Sequence, residues 1–389
     1  MENRSLSLIH RTMSSLRTQL NSQLNLNELD RKDTTVLKAL AILAIVFHNF
    51  FHAAIDVHEN EFDFDPARFS VFLHTVVHPS SAIQALFAFY GHFGVQTFIF
   101  LSAYGLAKSH WDDDSSWFSF MWSRIKKLYP MFFLVILFWA VLVSMHVGPL
   151  WVIRDAGPEI LLMLAGVSNI TPGLGFPPVG PWWFIPFIMQ AYALWPFLRR
   201  LTRRFGWPAL AVVSVVCFVF TVFTTPFFAH LSITLAFTPI ARMRVFCLGI
   251  LAARYPIRIK AYLAIPAFAI LILGSEYQGF AYLISLSSVI VCLWLYSKTR
   301  PLLRKSRALE LIGNYSLAIF LVNGIVRVPF VYFADTPLKQ LTLAVATASV
   351  TIAISALFHY LLTPAPKPAA KFAASPLWDS PQSADAPAE

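Results

Sequence analysis

Runs of about 20 apolar residues recur along this chain, each long enough to cross a hydrocarbon core of roughly 30 Å as a helix. Backbone polar groups inside a bilayer have no water to bond, so such runs must become helices packed on one another. Ten runs are legible, at about 36 to 54, 84 to 107, 128 to 147, 181 to 198, 207 to 228, 231 to 253, 261 to 275, 279 to 297, 309 to 333 and 341 to 363. The expected fold class is all-α, a polytopic membrane protein of about ten transmembrane helices. A shorter stretch, Glu159 to Val167, is too brief to span comfortably and reads as a buried or re-entrant segment, so an eleven-span count stays open.

Only 13% of the 389 residues are charged and the mean hydropathy is +0.62, whereas soluble domains carry about a quarter charged residues. A water-soluble globular enzyme is excluded. The net charge of +10 does not point to nucleic acid, because the basic residues fall in short clusters between the apolar runs, where they set topology. With the amino terminus inside, the segments assigned to the cytoplasm hold 23 lysines and arginines, the outside loops hold 3 and the spans hold 4. Both termini are therefore expected in the cytoplasm. The chain divides into a polar arm over 1–35, a membrane domain over 36–363 and a tail over 364–389 whose Pro, Ala and Ser content predicts disorder. No removable signal peptide is evident, so the first apolar helix serves as an uncleaved anchor. Cys217, Cys247 and Cys292 lie inside apolar segments without metal or redox spacing and read as small hydrophobes.

Ionisable groups inside a bilayer are costly, so each is a candidate site residue. Lys38, His48 and His52 fall in the first span, His92 in the second, Arg242 and Arg244 in the sixth, and Arg327 in the ninth. His48 and His52, spaced i, i+4, share a helix face near its outer end. A histidine there can serve as a general base or can simply pack among interfacial aromatics. A third reading is metal ligation by His48, His52, His58 or His92 with a carboxylate of the acidic loop that carries Asp56, Glu59, Glu61, Asp63 and Asp65. Arg242 and Arg244 point about 200° apart around a helix, so only one is expected to face a given cavity. Arg124, Lys126 and Lys127 could hold phosphates or act as a positive-inside anchor.

Six segments, in order, resemble the acyltransferase 3 family of integral membrane O-acyltransferases. LKALAILAIVFHNFFH (Leu37 to His52) is similar to its opening helix, in which a basic residue starts the helix and a histidine sits toward the far end. GHFGVQTFIFLSAYGL (Gly91 to Leu106), SRIKKLYPMF (Ser123 to Phe132), WWFIPFIMQAYALWPF (Trp182 to Phe197), ARMRVFCLGILAA (Ala241 to Ala253) and LIGNYSLAIFLVN (Leu311 to Asn323) resemble the later motifs. The chain departs from the pattern in places. Nine residues rather than ten separate Lys38 from His48, with Asn49 in the usual histidine place. Ala103 replaces a glycine, Ile188 an acidic residue, and Asn323 a histidine of the ninth helix.

The resemblance implies transfer of an acyl group, most often acetyl, from a cytoplasmic coenzyme A thioester to a hydroxyl of an extracytoplasmic or lipid-linked glycan. His48 is then the catalytic base, with His52 in reserve on the same face. Lys38, Arg124, Lys127, Arg242 and Arg244 are the candidates for holding acyl-CoA. Trp183, Gln190 and Tyr192 are candidates for the substrate, although membrane-interface belts use the same aromatics. A thioester is attacked without metal assistance, so no metal is expected. The implied setting is a bacterial inner membrane, with the lipid bilayer, a glycan acceptor and polysaccharide biosynthesis or export proteins as partners and no nucleic acid. The rival readings are a secondary transporter using the same intramembrane charges and a non-catalytic subunit of a polysaccharide assembly complex.

Overall fold

A computed structural model describes residues 24–174 and 177–363. The first 23 residues of the polar arm and the tail from 364, where disorder was expected, lie outside the described residues. Every regular element among the described residues is helical, as the apolar runs require. Counting helices of eight residues or more, the order is α1 (Arg31–Ala54), α2 (Pro66–Val76), α3 (Ala82–Tyr90), α4 (Gly94–Ser109), α5 (Trp117–Val147), α6 (Gly157–Leu164) and α7 (Phe184–Phe205). It continues with α8 (Trp207–His230), α9 (Pro239–Arg254), α10 (Ala261–Glu276), α11 (Ile284–Leu303), α12 (Arg307–Asn314), α13 (Ser316–Val331) and α14 (Pro337–Leu362).

Six helical segments among the described residues are long and apolar enough to cross a membrane: α1, Ala82–Ser109 (α3 with α4), α5, α8, Leu235–Arg254 (ending in α9) and α14. The pair α12 and α13, bent by 78°, makes a seventh if taken as one span. The other apolar runs coincide with α7, whose second half carries Arg199, Arg200, Arg203 and Arg204, with the 16-residue α10, and with α11, which ends in Lys298 and Arg300. The brief stretch from Glu159 falls on α6, which buries Ile160 and Met163.

The bundle is built around α1. Val36, Leu37, Ala39, Ile42, Ile45, Val46, Phe50 and Phe51 are all buried, so this helix has almost no free face. By contrast α8 exposes Val212, Val215, Val216, Phe223 and Phe227, an apolar surface suited to lipid. The start of α1 is closed by a reciprocal capping box: the Asp33 amide donates to Asp30 Oδ1 at 2.8 Å and the Asp30 amide donates to Asp33 Oδ2 at 3.1 Å. Asp33 is fully buried and also accepts from Tyr296 (2.7 Å), Arg300 (2.8 Å to each oxygen) and Arg304 (2.8 Å). A carboxylate at a helix N-terminus complements the helix dipole, and here it fastens α1 to the end of α11.

At its other end α1 is gripped by the join between α3 and α4. A Cβ added at Gly91 would sit 2.7 Å from the Ala44 carbonyl oxygen and 2.8 Å from His48 Cβ, and one at Gly94 would sit 2.4 Å from the Ala41 carbonyl oxygen. Both positions therefore need glycine for the backbones to meet.

Removing one partner of a buried ion cluster leaves the others uncompensated, at a cost of about 3–5 kcal/mol. Arg300 and Arg304 keep partial solvent access, so Asp33→Ala is expected at the lower end of that range. Asp30→Ala, which removes a cap and a half-exposed ion pair to Arg304 (2.7 Å), is expected to cost nearer ~1 kcal/mol. Thermal unfolding of the purified protein in detergent ranks the two, and equal melting temperatures would show that the buried Asp33 cluster contributes no more than the exposed Asp30.

Candidate active site

The break between α3 and α4 shapes the surroundings of His48. A helix end leaves carbonyls without intrahelical partners, and the Ala88 carbonyl accepts from His48 Nδ1 at 2.9 Å, with the Phe87 carbonyl at 3.3 Å. A carbonyl can only accept, so the proton of the neutral ring resides on Nδ1 and the lone pair on Nε2. His48 is buried yet lines a cavity of about 430 Å³ together with Asn49, His52, Glu59, His92, Trp183 and Arg327. The His52 and His92 rings stand 5.4 and 5.5 Å from the His48 ring, so the shared face expected of His48 and His52 is present. His92 is buried with Nδ1 unpartnered.

The loop after α1 folds back into the mouth of this cavity. Arg68, near the start of α2, holds it through paired hydrogen bonds to Asp63 (2.9 and 2.7 Å) and one to the Glu59 carbonyl (2.7 Å). Two of its acids turn inward. Glu59 is buried with Oε2 2.8 Å from His52 Nδ1. Burial pushes its carboxyl up, but the adjacent His52 and the other histidines more than offset this and hold it below the usual carboxylate range. Glu61 pairs with buried Arg242 at 2.9 Å, and the Arg242 guanidinium lies 5.4 Å from the Trp183 ring. Burial pushes the Glu61 carboxyl up to about 7 although Arg242 opposes it.

Beyond the Glu61–Arg242 pair lies a second cavity of about 530 Å³, which shares Glu61, Phe62 and Asp63 with the first. Both Arg242 and Arg244 line it, contrary to the expectation that their angular separation would send only one to any cavity. They sit near the start of α9, where long side chains reach around the helix: Arg242 donates to the Ala236 carbonyl and to Glu61, and Arg244 donates to the Tyr282 carbonyl at 2.6 Å.

The five cations proposed from sequence to hold one ligand fall into two groups. Arg242 and Arg244 lie at the His48 end of the bundle. Lys38 lies two turns into α1, about 15 Å before His48 at 1.5 Å per residue, and lies in the field of Lys127. Arg124 of the same cluster donates to His110 Nε2 at 3.0 Å. Among the substrate candidates, Trp183 lines the His48 cavity. Gln190 does not: it exchanges hydrogen bonds with Asn169 (2.7 and 3.1 Å) beside a separate cavity. Tyr192 bonds Ser102.

Sequence reasoning gave no individual role to Glu59 or Glu61, although the crowding of acids beside His58 was a signal that the loop was special. It also gave Asn323 no partner. Asn49 Nδ2 donates to Asn323 Oδ1 at 2.7 Å, and Arg327 donates to the Asn49 carbonyl, so α13 secures the turn of α1 that presents His48.

A family model described as an acyltransferase domain matches residues 31–360. No curated protein and no solved structure matches the chain.

A carboxyl raised from 4.5 unfolded to about 7 folded supports the fold fully below about pH 4.5, and that contribution is lost as pH rises through about 7. Glu61→Gln, which mimics the protonated acid, is expected to flatten this part of the stability profile. The melting temperatures of both proteins at about pH 5 and about pH 8 check it, and an unchanged difference between the two pH values in the variant would refute the role of Glu61.

Proposed function

The chain belongs to the acyltransferase 3 family, whose domain it matches over most of its length, and on that premise we propose that it moves an acyl group, acetyl in the first instance, from coenzyme A to a glycan hydroxyl. His48 Nε2 takes the proton of the acceptor hydroxyl as its oxygen attacks the thioester carbonyl carbon. The C–O bond forms, the C–S bond breaks, and the proton on Nε2 passes to the departing thiolate. A relay in which His48 carries the acyl group between thioester and hydroxyl uses the same nitrogen.

The observation that carries this reading is the hydrogen bond from His48 Nδ1 to the Ala88 carbonyl. It leaves a buried imidazole with its basic nitrogen free beside a cavity, which is what a general base needs. The Glu59 carboxylate, with its donor atom within 4.8 Å of those of His48 and His52, favours the imidazolium formed during transfer. Trp183 gives the acceptor an aromatic face, and His52 remains the reserve base.

The separation of the cations suits a donor bound from the opposite end. Lys38, Arg124 and Lys127 hold the coenzyme phosphates, and the extended pantetheine arm covers the roughly 15 Å of α1 to His48. In this reading the ten apolar runs are ten spans, both termini are cytoplasmic, and the His48 cavity opens outside a bacterial inner membrane. The acceptor is then an exopolysaccharide or lipid-linked glycan delivered by the polysaccharide assembly machinery.

The test is the ester-linked acyl content of surface glycans in a strain lacking the gene, complemented with wild type, His48→Ala or His52→Ala at equal expression. Wild type is expected to restore ester and His48→Ala to fall by about 10² or more. Full restoration by His48→Ala would exclude it as the base. If His52→Ala alone is inactive, the role belongs to the next turn of α1. Unchanged ester in the deletion strain would favour transport over transfer.

A further inference from the structure

Three histidines and a carboxylate converge at the mouth of the His48 cavity, and two of the rings are already anchored from behind. His48 gives Nδ1 to the Ala88 carbonyl and keeps Nε2 free. His58 has Nε2 3.2 Å from Asp56 Oδ1, which leaves its Nδ1 facing His52 Nδ1 at 3.5 Å. The same His52 Nδ1 stands 2.8 Å from Glu59 Oε2, yet that buried oxygen receives no hydrogen bond of ordinary direction. Histidine ligands of metals characteristically give their outer nitrogen to a carbonyl or carboxylate, which fixes tautomer and ring orientation. His48 and His58 both do so.

The spacing also suits an ion. With bonds of about 2.0–2.1 Å, neighbouring ligand atoms of a tetrahedral zinc site stand about 3.3–3.4 Å apart, a value that the 2.8 and 3.5 Å separations bracket. The donor atoms of His48, His52 and Glu59 all lie within 4.8 Å of one another, and His58 adjoins this group through His52. Imidazole nitrogens with one carboxylate favour zinc over magnesium.

We propose that His48, His52, His58 and Glu59 bind a zinc-class divalent ion at the cavity mouth and that the bound ion silences the protein by occupying His48 Nε2. The binding half stands on these donors alone, whereas the silencing half rests on the reading of His48 as the base. The sequence led to the opposite expectation, since acyl transfer needs no metal; here the ion is an inhibitor and not a cofactor.

The test uses the purified full-length protein in detergent, stripped with EDTA. Added Co²⁺ is expected to give the visible absorption of tetrahedral cobalt, which Zn²⁺ abolishes and excess Mg²⁺ does not. His58→Ala, a half-exposed residue outside the proposed chemistry, is expected to keep the wild-type melting temperature and zinc-free transfer rate. It should lose at least about tenfold in zinc affinity and raise the zinc concentration for half-inhibition to match. No displaceable cobalt spectrum would overturn the site, as would zinc binding unchanged in both His58→Ala and His52→Ala. Binding that is weakened in these variants but leaves wild-type transfer untouched would overturn the silencing and count against His48 as the base, while the metal site itself would stand.

Discussion

The hydrogen bond between His48 and the Ala88 carbonyl ties the central helix to its neighbour beside the His48 cavity. It exists because the second apolar stretch is not one continuous helix: it breaks between α3 and α4, and the break frees a carbonyl where α1 passes. Gly91 and Gly94 let the two backbones meet closely enough for the ring to reach it. Buried as it is, an imidazole nitrogen that lacked such an acceptor would carry the penalty of an unsatisfied polar group. Here one nitrogen is satisfied and the other is left with a cavity to act on.

The positions and helical character of the apolar segments were legible in the sequence because hydropathy is a local property. The face shared by His48 and His52 was legible for the same reason, since a four-residue spacing on a helix leaves little freedom. The inward turn of Glu59 and Glu61 was not. Asp56, Asp63 and Asp65 of the same loop stay at the surface, and nothing in the order of five acids tells which two are drawn in. That choice is made by Arg68, Arg242 and His52, partners on other elements. The two arginines of α9 misled for a related reason: angular spacing describes where side chains leave a helix, but a guanidinium on a flexible stem ends wherever an acceptor stands.

The departures from the family pattern acquire a physical account. Asn49 occupies the place where the family's spacing puts a histidine, and Asn323 the place of another. The two asparagines bond each other across α1 and α13, so the altered positions answer one another. The turn of α1 that carries them is thereby held toward α13, while His48, one residue earlier, is held toward α3. Sequence alone gave two unrelated substitutions, because the contact joins residues that lie far apart along the chain.

Between Lys38 and His48, Ala39, Ala41, Ile42, Ile45 and Val46 of α1 are all buried. This apolar interval is electrical insulation. Where a membrane potential exists, it falls mainly across such low-dielectric material, and carrying one elementary charge through it changes the energy by about 2.3 kcal/mol for each 100 mV. A neutral group crossing such an interval does no electrical work, while an ion meets a barrier. The same side chains that pack the central helix therefore form a low-dielectric interval between the His48 cavity and the cations around Lys38.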